Sequence, residues 1–508
     1  NWLLWIRRRA TSAARTSRYV IAIDQGTTSS RAIAFGEDGT VAAKAQYPFR
    51  QIYPGAGWVE HDPEDIYGTS LRALRETVAA VGADNVAAIG ITNQRETTVV
   101  WDKRSGHAVY NAIVWQCRRT ADYCDKLKET GVDSLIYDRT GLQVDPYFSA
   151  TKIKWILDNV KGARERAENG DLLFGTVDTY LMWRLSRGGI FATDYTNAAR
   201  TMLFDIDTLR WDAELCDMFG VPSSMLPQVF PSGHAYGVTD KNETGAEIPI
   251  CAVAGDQQAA LFGHLCTRKG DIKNTYGTGC FTLMNTGEQR LRSKRGLLTT
   301  LAATAEGQPP QYVLEGSVFI GGAVIQWLRD ELGMVETAAE TEEIAKSVPD
   351  TGGVYIVPAF VGLGAPHWDA KARGIVCGIT RGTGRAHFVR AALESIAYQV
   401  VDVMHAMESD AGCDIAKLAV DGGACANDFL MQFQADVLGC EVERPAVTET
   451  TALGAAYLAG LTAGVWKDLG QIASGRKTDR VFRPEMSVKR RKELLLGWAQ
   501  SIGRARYR

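Results

Sequence analysis

Apolar residues along this chain fall into two kinds of stretch. Short runs of β-branched and aliphatic residues have the length of strands, and between them lie longer stretches in which apolar positions recur at three and four, the helical spacing. Strands are expected at 19–24, 31–35, 86–92 and 97–101, and helices at 63–81, 117–129, 149–159 and 177–186. Residues 205–228 mix short helices with Pro222 and Pro227, after which strand-like 250–254 runs directly into Gly255-Asp256-Gln257. Beyond a boundary expected near 262–272 the theme restarts with a strand–turn–strand at 273–284 and a helix over about 317–332. A stretch rich in Gly and Pro at 351–366 precedes a long amphipathic helix over 385–410, with Val389, Leu393, Ile396, Val400 and Met404 on one stripe. A strand at 418–421 and a helix at 427–438 follow, and the small residues of 453–464 suggest a helix packed close to a neighbour. The pattern is α/β in both halves, and no short-period repeat supports a solenoid or propeller.

Within that pattern two turns carry chemistry. Asp24-Gln-Gly-Thr27-Thr28-Ser29-Ser30-Arg31 links the first two strands, and Gly277-Thr278-Gly279 links the pair at 273–284. Turns of Gly and hydroxyl residues can hold phosphate oxygens with N–H and O–H groups. One such turn in each half points to a nucleotide gripped by two lobes, hence to phosphoryl transfer. Thr27, Thr28 and Ser29 are candidate phosphate donors, Arg31 a neutralising cation, and Asp24 a carboxylate able to hold the water shell of Mg²⁺. An ordinary hairpin turn favours the same residue types.

Other candidates suit a small polyol. Arg95 and Glu96 follow a buried strand and offer donors beside an acceptor, as a hydroxyl that both donates and accepts requires; a sheet-edge ion pair is the plain alternative. Trp115, Tyr147 and Phe281 could pack against C–H faces, or simply be core aromatics. Asp256 could accept a proton as a general base, with Gln257 orienting the substrate; Asp is also a favoured helix N-cap. Gly423 and Asn427, after the strand at 418–421, could approach a base or ribose, and Gly322 and Gln326 could form the facing wall, although glycine turns opening helices read the same way.

Composition narrows the classes. The chain has 508 residues, 45% hydrophobic, enough for two cores, and 56 basic against 59 acidic residues give a net charge of −3. Nothing global suggests nucleic acid or an anionic membrane surface. Ten cysteines lack C-x-x-C or zinc spacing, which reads as reduced thiols of a cytoplasmic protein. No run of 18 apolar residues occurs, so no membrane span is expected. The P-loop, first-strand G-x-G-x-x-G, H-E-x-x-H and G-x-S-x-G motifs are missing from the sequence. Residues 1–18 carry five arginines and no acid. They read as an organelle-targeting or membrane-surface segment, or as a mis-assigned start without fixed structure, the reading the missing initiator Met favours.

Taken together, Asp24–Arg31, Gly57-Trp-Val-Glu-His-Asp62, Ile91-Thr-Asn-Gln-Arg-Glu-Thr-Thr98 and Asn111–Arg119 resemble the bacterial-type glycerol kinases of the FGGY carbohydrate kinase family. So do Asp145–Ser149, Phe174–Asp178, Asn274–Phe281 and Thr451–Tyr457, in unbroken order from about residue 19 to beyond 480. The resemblance implies a two-lobed actin-like ATPase (ribonuclease H-like) α/β fold with the active site in the interdomain cleft. It implies an N-terminal glycerol-side domain over 19–264 and a C-terminal nucleotide-side domain over 265–508. The implied reaction is ATP-dependent, Mg²⁺-assisted phosphorylation of glycerol to sn-glycerol 3-phosphate. By resemblance, Arg95, Glu96, Tyr147, Asp256 and Gln257 hold glycerol with Trp115 and Phe281 against its carbons, and Asp256 is the base. Thr27, Thr28, Ser29 and Arg31 line the phosphate side, and Asp24 matches a Mg²⁺-associated position. Thr278, Gly322, Gln326, Gly423 and Asn427 match the nucleotide positions, and a homodimer or homotetramer is implied. One departure stands out: Glu247, in Thr239–Ile248, replaces the cation that binds fructose 1,6-bisphosphate in several bacterial members, so that control is expected to be lost.

Overall fold

A computed structural model of the chain describes residues 18–369 and 371–507, so the expectations for the basic N-terminal segment lie, apart from Arg18, outside the described residues. The chain forms two compact units. The first contains the chain up to Leu265 together with Thr299–Tyr312 and Thr450–Arg476. The second contains Cys266–Leu298, Val313–Glu449 and the chain from Lys477 onward. The units are interleaved in sequence, and the expected split into 19–264 and 265–508 omits two segments that pack with the first unit.

The first unit is built on β1 (Tyr19–Gln25), β2 (Ser29–Phe35), β3 (Val41–Pro48), β4 (Val86–Asn93), β5 (Gly233–Val238) and β6 (Pro249–Gly255), in the sheet order β5-β6-β4-β1-β2-β3. β1 runs antiparallel to β2 and parallel to β4, and β6 runs parallel to β4. β4 and β6 are buried along almost their whole length, as their continuous apolar runs require. Helix Pro63–Val81 packs on β1, β2 and β3. It starts where Asp62 Oδ1 accepts from Glu64 N at 2.9 Å with Pro63 in the first turn, and stops at Gly82, whose φ is 82°.

Helix Thr450–Ala463, the small-residue segment, packs on β1, β4 and β6 and on helix Asp256–Gly263. Its backbone comes so close that a Cβ at Gly90 would lie 2.3 Å from the Ala455 carbonyl oxygen, and one at Gly454 would lie 1.8 Å from that of Ala259. The crowding of small residues thus reflects a contact made by backbone rather than by side chains.

The second unit repeats the plan with β7 (Ile272–Tyr276), β8 (Cys280–Gly287), β10 (Tyr312–Val318), β11 (Lys417–Asp421), β12 (Glu441–Pro445) and β13 (Thr478–Phe482); the sheet is ordered β9-β10-β8-β7-β11-β12-β13, and its edge strand β9 (Leu298–Leu301) lies, beyond Leu298, in the segment grouped with the first unit. β7 is antiparallel to β8 and parallel to β11, and β11 is parallel to β12. Both sheets therefore set a hairpin beside two parallel strands, the ribonuclease H-like arrangement, and the two hydroxyl-rich turns occupy equivalent hairpin ends. Helix Arg385–Ala411 buries all five residues of its expected stripe.

Three expected elements shift. The helix expected from about 317 begins at Ala323, because apolar residues up to Val318 form β10 and Gly321-Gly322 intervene. The helix expected from 117 begins at Ala121. Arg119 lies before it, with its guanidinium 4.0 Å from the Trp58 ring centre and 2.6 Å from Glu60 Oε1. The strand expected from 97 begins at Val99, after Glu96 enters the left-handed region at φ 63°. No helix among the described residues is long and apolar enough to cross a membrane.

Candidate active site

The β1–β2 pairing sets Asp24 opposite Arg31, and the buried Asp24 carboxylate contacts the Arg31 guanidinium. Every carbonyl of the intervening turn is engaged. Gln94 N donates to Gln25 O at 2.8 Å, Gln94 Nε2 to Gly26 O at 3.0 Å, Gln51 Nε2 to Thr27 O at 3.0 Å, and Phe49 N to Thr28 O at 3.3 Å. Gly26 N donates to Ser29 O at 2.9 Å. With its acceptors taken, the turn offers an approaching anion N–H groups and hydroxyls, Thr28 being the most exposed. His61 supports the turn through Gln51: its Nε2 lies 2.8 Å from Gln51 Oε1, and burial pushes the imidazole down to about 4, so it is neutral there.

The ends of β4 and β6 converge on the acceptor candidates. Arg95 Nε sits 3.4 Å from Asp256 Oδ1 and 3.7 Å from Glu96 Oε1, and Nη1 donates to Gln258 Oε1 at 3.3 Å. Gly255 permits this packing, since a Cβ there would meet the Arg95 stem at 2.8 Å. Asp256 is the first residue of its helix rather than the cap, yet its Oδ1 accepts from Gln257 N at 2.8 Å. The helix N-terminus favours its negative charge. The side chain of Asp256 is 31% exposed whereas those of Arg95 and Glu96 are 2% exposed, so of the three the carboxylate at 256 is the most exposed. Trp115 and Tyr147 meet edge to face with ring centres 5.7 Å apart, both half-buried. Phe281 lies on β8 of the second unit, opposite Thr275.

Beneath these groups runs a buried polar network. Asp194 Oδ2 accepts from Thr196 Oγ1 at 2.7 Å, and Thr196 Oγ1 accepts from Gly255 N at 2.8 Å, tying the peptide before Asp256 to a buried carboxylate. Asp178, fully buried with Asp194 nearby, is pushed up to about 7 by burial and that neighbouring charge.

In the second unit Gly321-Gly322 lies on the turn of the β7–β8 hairpin: Gly322 N donates to Gly277 O at 2.9 Å and Gly321 N to Thr278 O at 2.8 Å. A Cβ at Gly322 would stand 2.8 Å from Gly277 O, so only glycine brings the two loops this close. Thr278 and Gln326 are exposed. Gly422 is forced in the same way, with φ 89° and a would-be Cβ 2.4 Å from Tyr276 O, while Gly423 has open space around it. Asn427 caps helix Asp428–Leu438, its Oδ1 accepting from Leu430 N at 2.9 Å and its Nδ2 donating to Thr341 Oγ1 at 3.2 Å. Both glycine segments thus flank one hairpin end.

Residues that pattern reading did not single out surround Glu96 in the first unit. Arg200 Nε donates to Glu96 Oε1 at 2.6 Å, and Lys152 Nζ to the carbonyls of Glu96 and Tyr147. A lysine among apolar residues on the helix at 149–159 was the available signal; Arg200 had none. Among the described residues no group of three or more His, Cys, Asp or Glu could hold a metal ion.

Comparison with known proteins places the chain in a family. Residues 19–263 match the model for the N-terminal domain of the FGGY family of carbohydrate kinases, and residues 272–463 that for its C-terminal domain. A glycerol kinase of Clostridium botulinum strain 657 is 59% identical over 96% of this chain and 98% of its own. Glycerol kinase 2 of Thermotoga maritima is 59% identical over 96% of this chain and 99% of its own. The crystal structure of Plasmodium falciparum glycerol kinase with ADP superposes with a TM-score of 0.92 at 34% identity, covering 97% of this chain and 99% of that one.

Proposed function

The chain belongs to the FGGY family of carbohydrate kinases, and we propose that it phosphorylates glycerol with ATP, giving sn-glycerol 3-phosphate and ADP. The observation that carries this reading is the cluster of Arg95, Glu96 and Asp256, with Arg95 Nε 3.4 Å from the Asp256 carboxylate. It offers a small polyol donors, an acceptor and a base in one place. The 59% identity to glycerol kinases supports the choice of polyol.

In the proposed reaction the terminal hydroxyl oxygen attacks the γ-phosphorus. A new P–O bond forms, the bond to the β-phosphate oxygen breaks, and the hydroxyl proton passes to Asp256. Arg95 and Glu96 hold the remaining hydroxyls, and Gln257 orients the chain of carbons that Trp115 packs against. Thr27, Thr28, Ser29 and Arg31 receive the moving phosphoryl group, while Thr278, Gly322, Gln326, Gly423 and Asn427 serve the nucleotide. Positioning and charge do most of the work in such transfers.

Mg²⁺ fits the residues present. The ion keeps several waters and takes phosphate oxygens with one or two carboxylates, so it needs no protein-only cage. Asp24, a buried carboxylate at a strand end, would hold it through water. When bound, the ion offsets phosphate charge. A cytoplasmic homodimer or homotetramer without nucleic-acid partners completes the proposal.

A coupled assay of ADP release, with and without acceptor, tests it. Glycerol should support release far better than xylulose or other larger polyols. Release that is independent of glycerol, or equal for the larger sugars, would sink the reading.

A further inference from the structure

Glu96 is held in an unusual way. Its backbone sits in the left-handed region at φ 63°, which a residue with a Cβ rarely adopts. Three side chains donate to its carbonyl: Thr98 Oγ1 at 3.0 Å, Ser149 Oγ at 3.1 Å and Lys152 Nζ at 3.4 Å. Its carboxylate accepts from Arg200 Nε at 2.6 Å. Lys152 Nζ also donates to the carbonyl of Tyr147, and the Arg200 guanidinium lies 5.4 Å from the Tyr147 ring centre. Both cations are fully buried.

Two buried cations are a poor way to gain stability. Desolvation of each is costly, and apolar side chains of similar volume often serve as well or better. Burial pushes the Lys152 ammonium down to about 8 even though the neighbouring Glu96 charge favours its protonated form. What the pair does supply is geometry. Glu96 and Tyr147 come from segments far apart in sequence, and Lys152 joins their backbones while Arg200 orients the carboxylate of one beside the ring of the other.

We propose that Lys152 and Arg200 are positioning residues for the acceptor, acting through Glu96. They hold the Glu96 carboxylate and the Tyr147 backbone in one fixed relation to each other, on the side from which the acceptor is bound. The inference rests on the glycerol reading above.

The test is a double-mutant cycle on glycerol-dependent ADP release, with Arg200→Lys in wild-type and Glu96→Gln backgrounds. Arg200→Lys keeps the charge but loses the planar fork that aims at the carboxylate. Its glycerol KM should rise about tenfold or more with ATP KM within about twofold, and should rise little further when Glu96→Gln is already present. Equal increments in both backgrounds, or an unchanged glycerol KM, overturn the proposal. Lys152→Met keeps a side chain of similar length, removes the ammonium that joins the Glu96 and Tyr147 carbonyls, and should raise glycerol KM about threefold. No change there also overturns it, even if the arginine variant fails to fold. Wild-type protein that releases no ADP on adding glycerol instead rejects the acceptor assignment itself, so the two failures are distinguishable.

Discussion

The indole Nε1 of Trp115 donates a 3.0 Å hydrogen bond to the Thr27 hydroxyl. An aromatic expected to wall the acceptor is therefore tied to the turn expected to hold phosphate. Trp115→Phe keeps an apolar wall and removes the donor. A net hydrogen bond of about 0.5–1.5 kcal/mol is lost, so kcat should fall about three- to tenfold, with the melting temperature little changed. Steady-state kinetics with an unaltered kcat would show that the tie does not matter for turnover.

Asp256→Asn should keep the helix start, since an amide oxygen can still accept from Gln257 N, and lose the proton acceptor. Turnover should drop about a hundredfold or more. Near-normal turnover in a folded variant would remove Asp256 from the role of base.

The neutral His61 under the phosphate turn gives a pH dependence with a definite sign. Its folded value of about 4 lies below the ordinary value of 6.5, so the folded state rejects the proton that the unfolded chain accepts. The stability this ring contributes is fully present above pH about 6.5 and is lost as pH falls toward about 4. Against His61→Gln, the wild-type melting temperature should therefore fall faster on acidification across that window. Parallel melting curves for the two proteins would contradict the assignment.

Gly454→Ala forces a methyl group toward the Ala259 carbonyl, where no space exists. Overpacking of this kind costs about 1–3 kcal/mol. Because Ala259 belongs to the helix that begins at Asp256, both the melting temperature and kcat should fall. Thermal denaturation and turnover measured on one preparation check the pair.

Insensitivity to fructose 1,6-bisphosphate is the fifth expectation. In Thr239–Ile248, Glu247 is exposed. Glu243 Oε1 already engages the neighbouring cation, accepting from Arg187 Nε at 3.0 Å. A bisphosphate meets carboxylates in this loop, so millimolar effector should change the rate less than about twofold. Strong inhibition would reject this.

Much of the α/β plan could be read from the chain because it rests on local signals. The turns at 24–31 and 277–279 announced themselves by composition, and the stripe from Val389 to Met404 by its period. Long-range facts left no such trace. Nothing near Thr27 indicates that Trp115 will reach it, and Arg200 has no local signature because its partner Glu96 lies in another segment. The run before Gly321 fits a strand or a helix equally well, and only pairing within the second sheet settles it as β10. Asn427 stood out as a ligand candidate for the same chemistry that makes it a cap, an amide oxygen facing a helix start.

The return of residues 450–476 to the first unit has a consequence for synthesis. The opening sheet leaves the ribosome early, yet Gly90 and β6 find their backbone cover only once the helix through Ala463 has emerged. Until then apolar surface on that sheet is bare and open to aggregation. A nascent chain released before Ala463 should need a chaperone's shelter, and expressing the halves as separate genes would strand the first without the helix that covers its sheet.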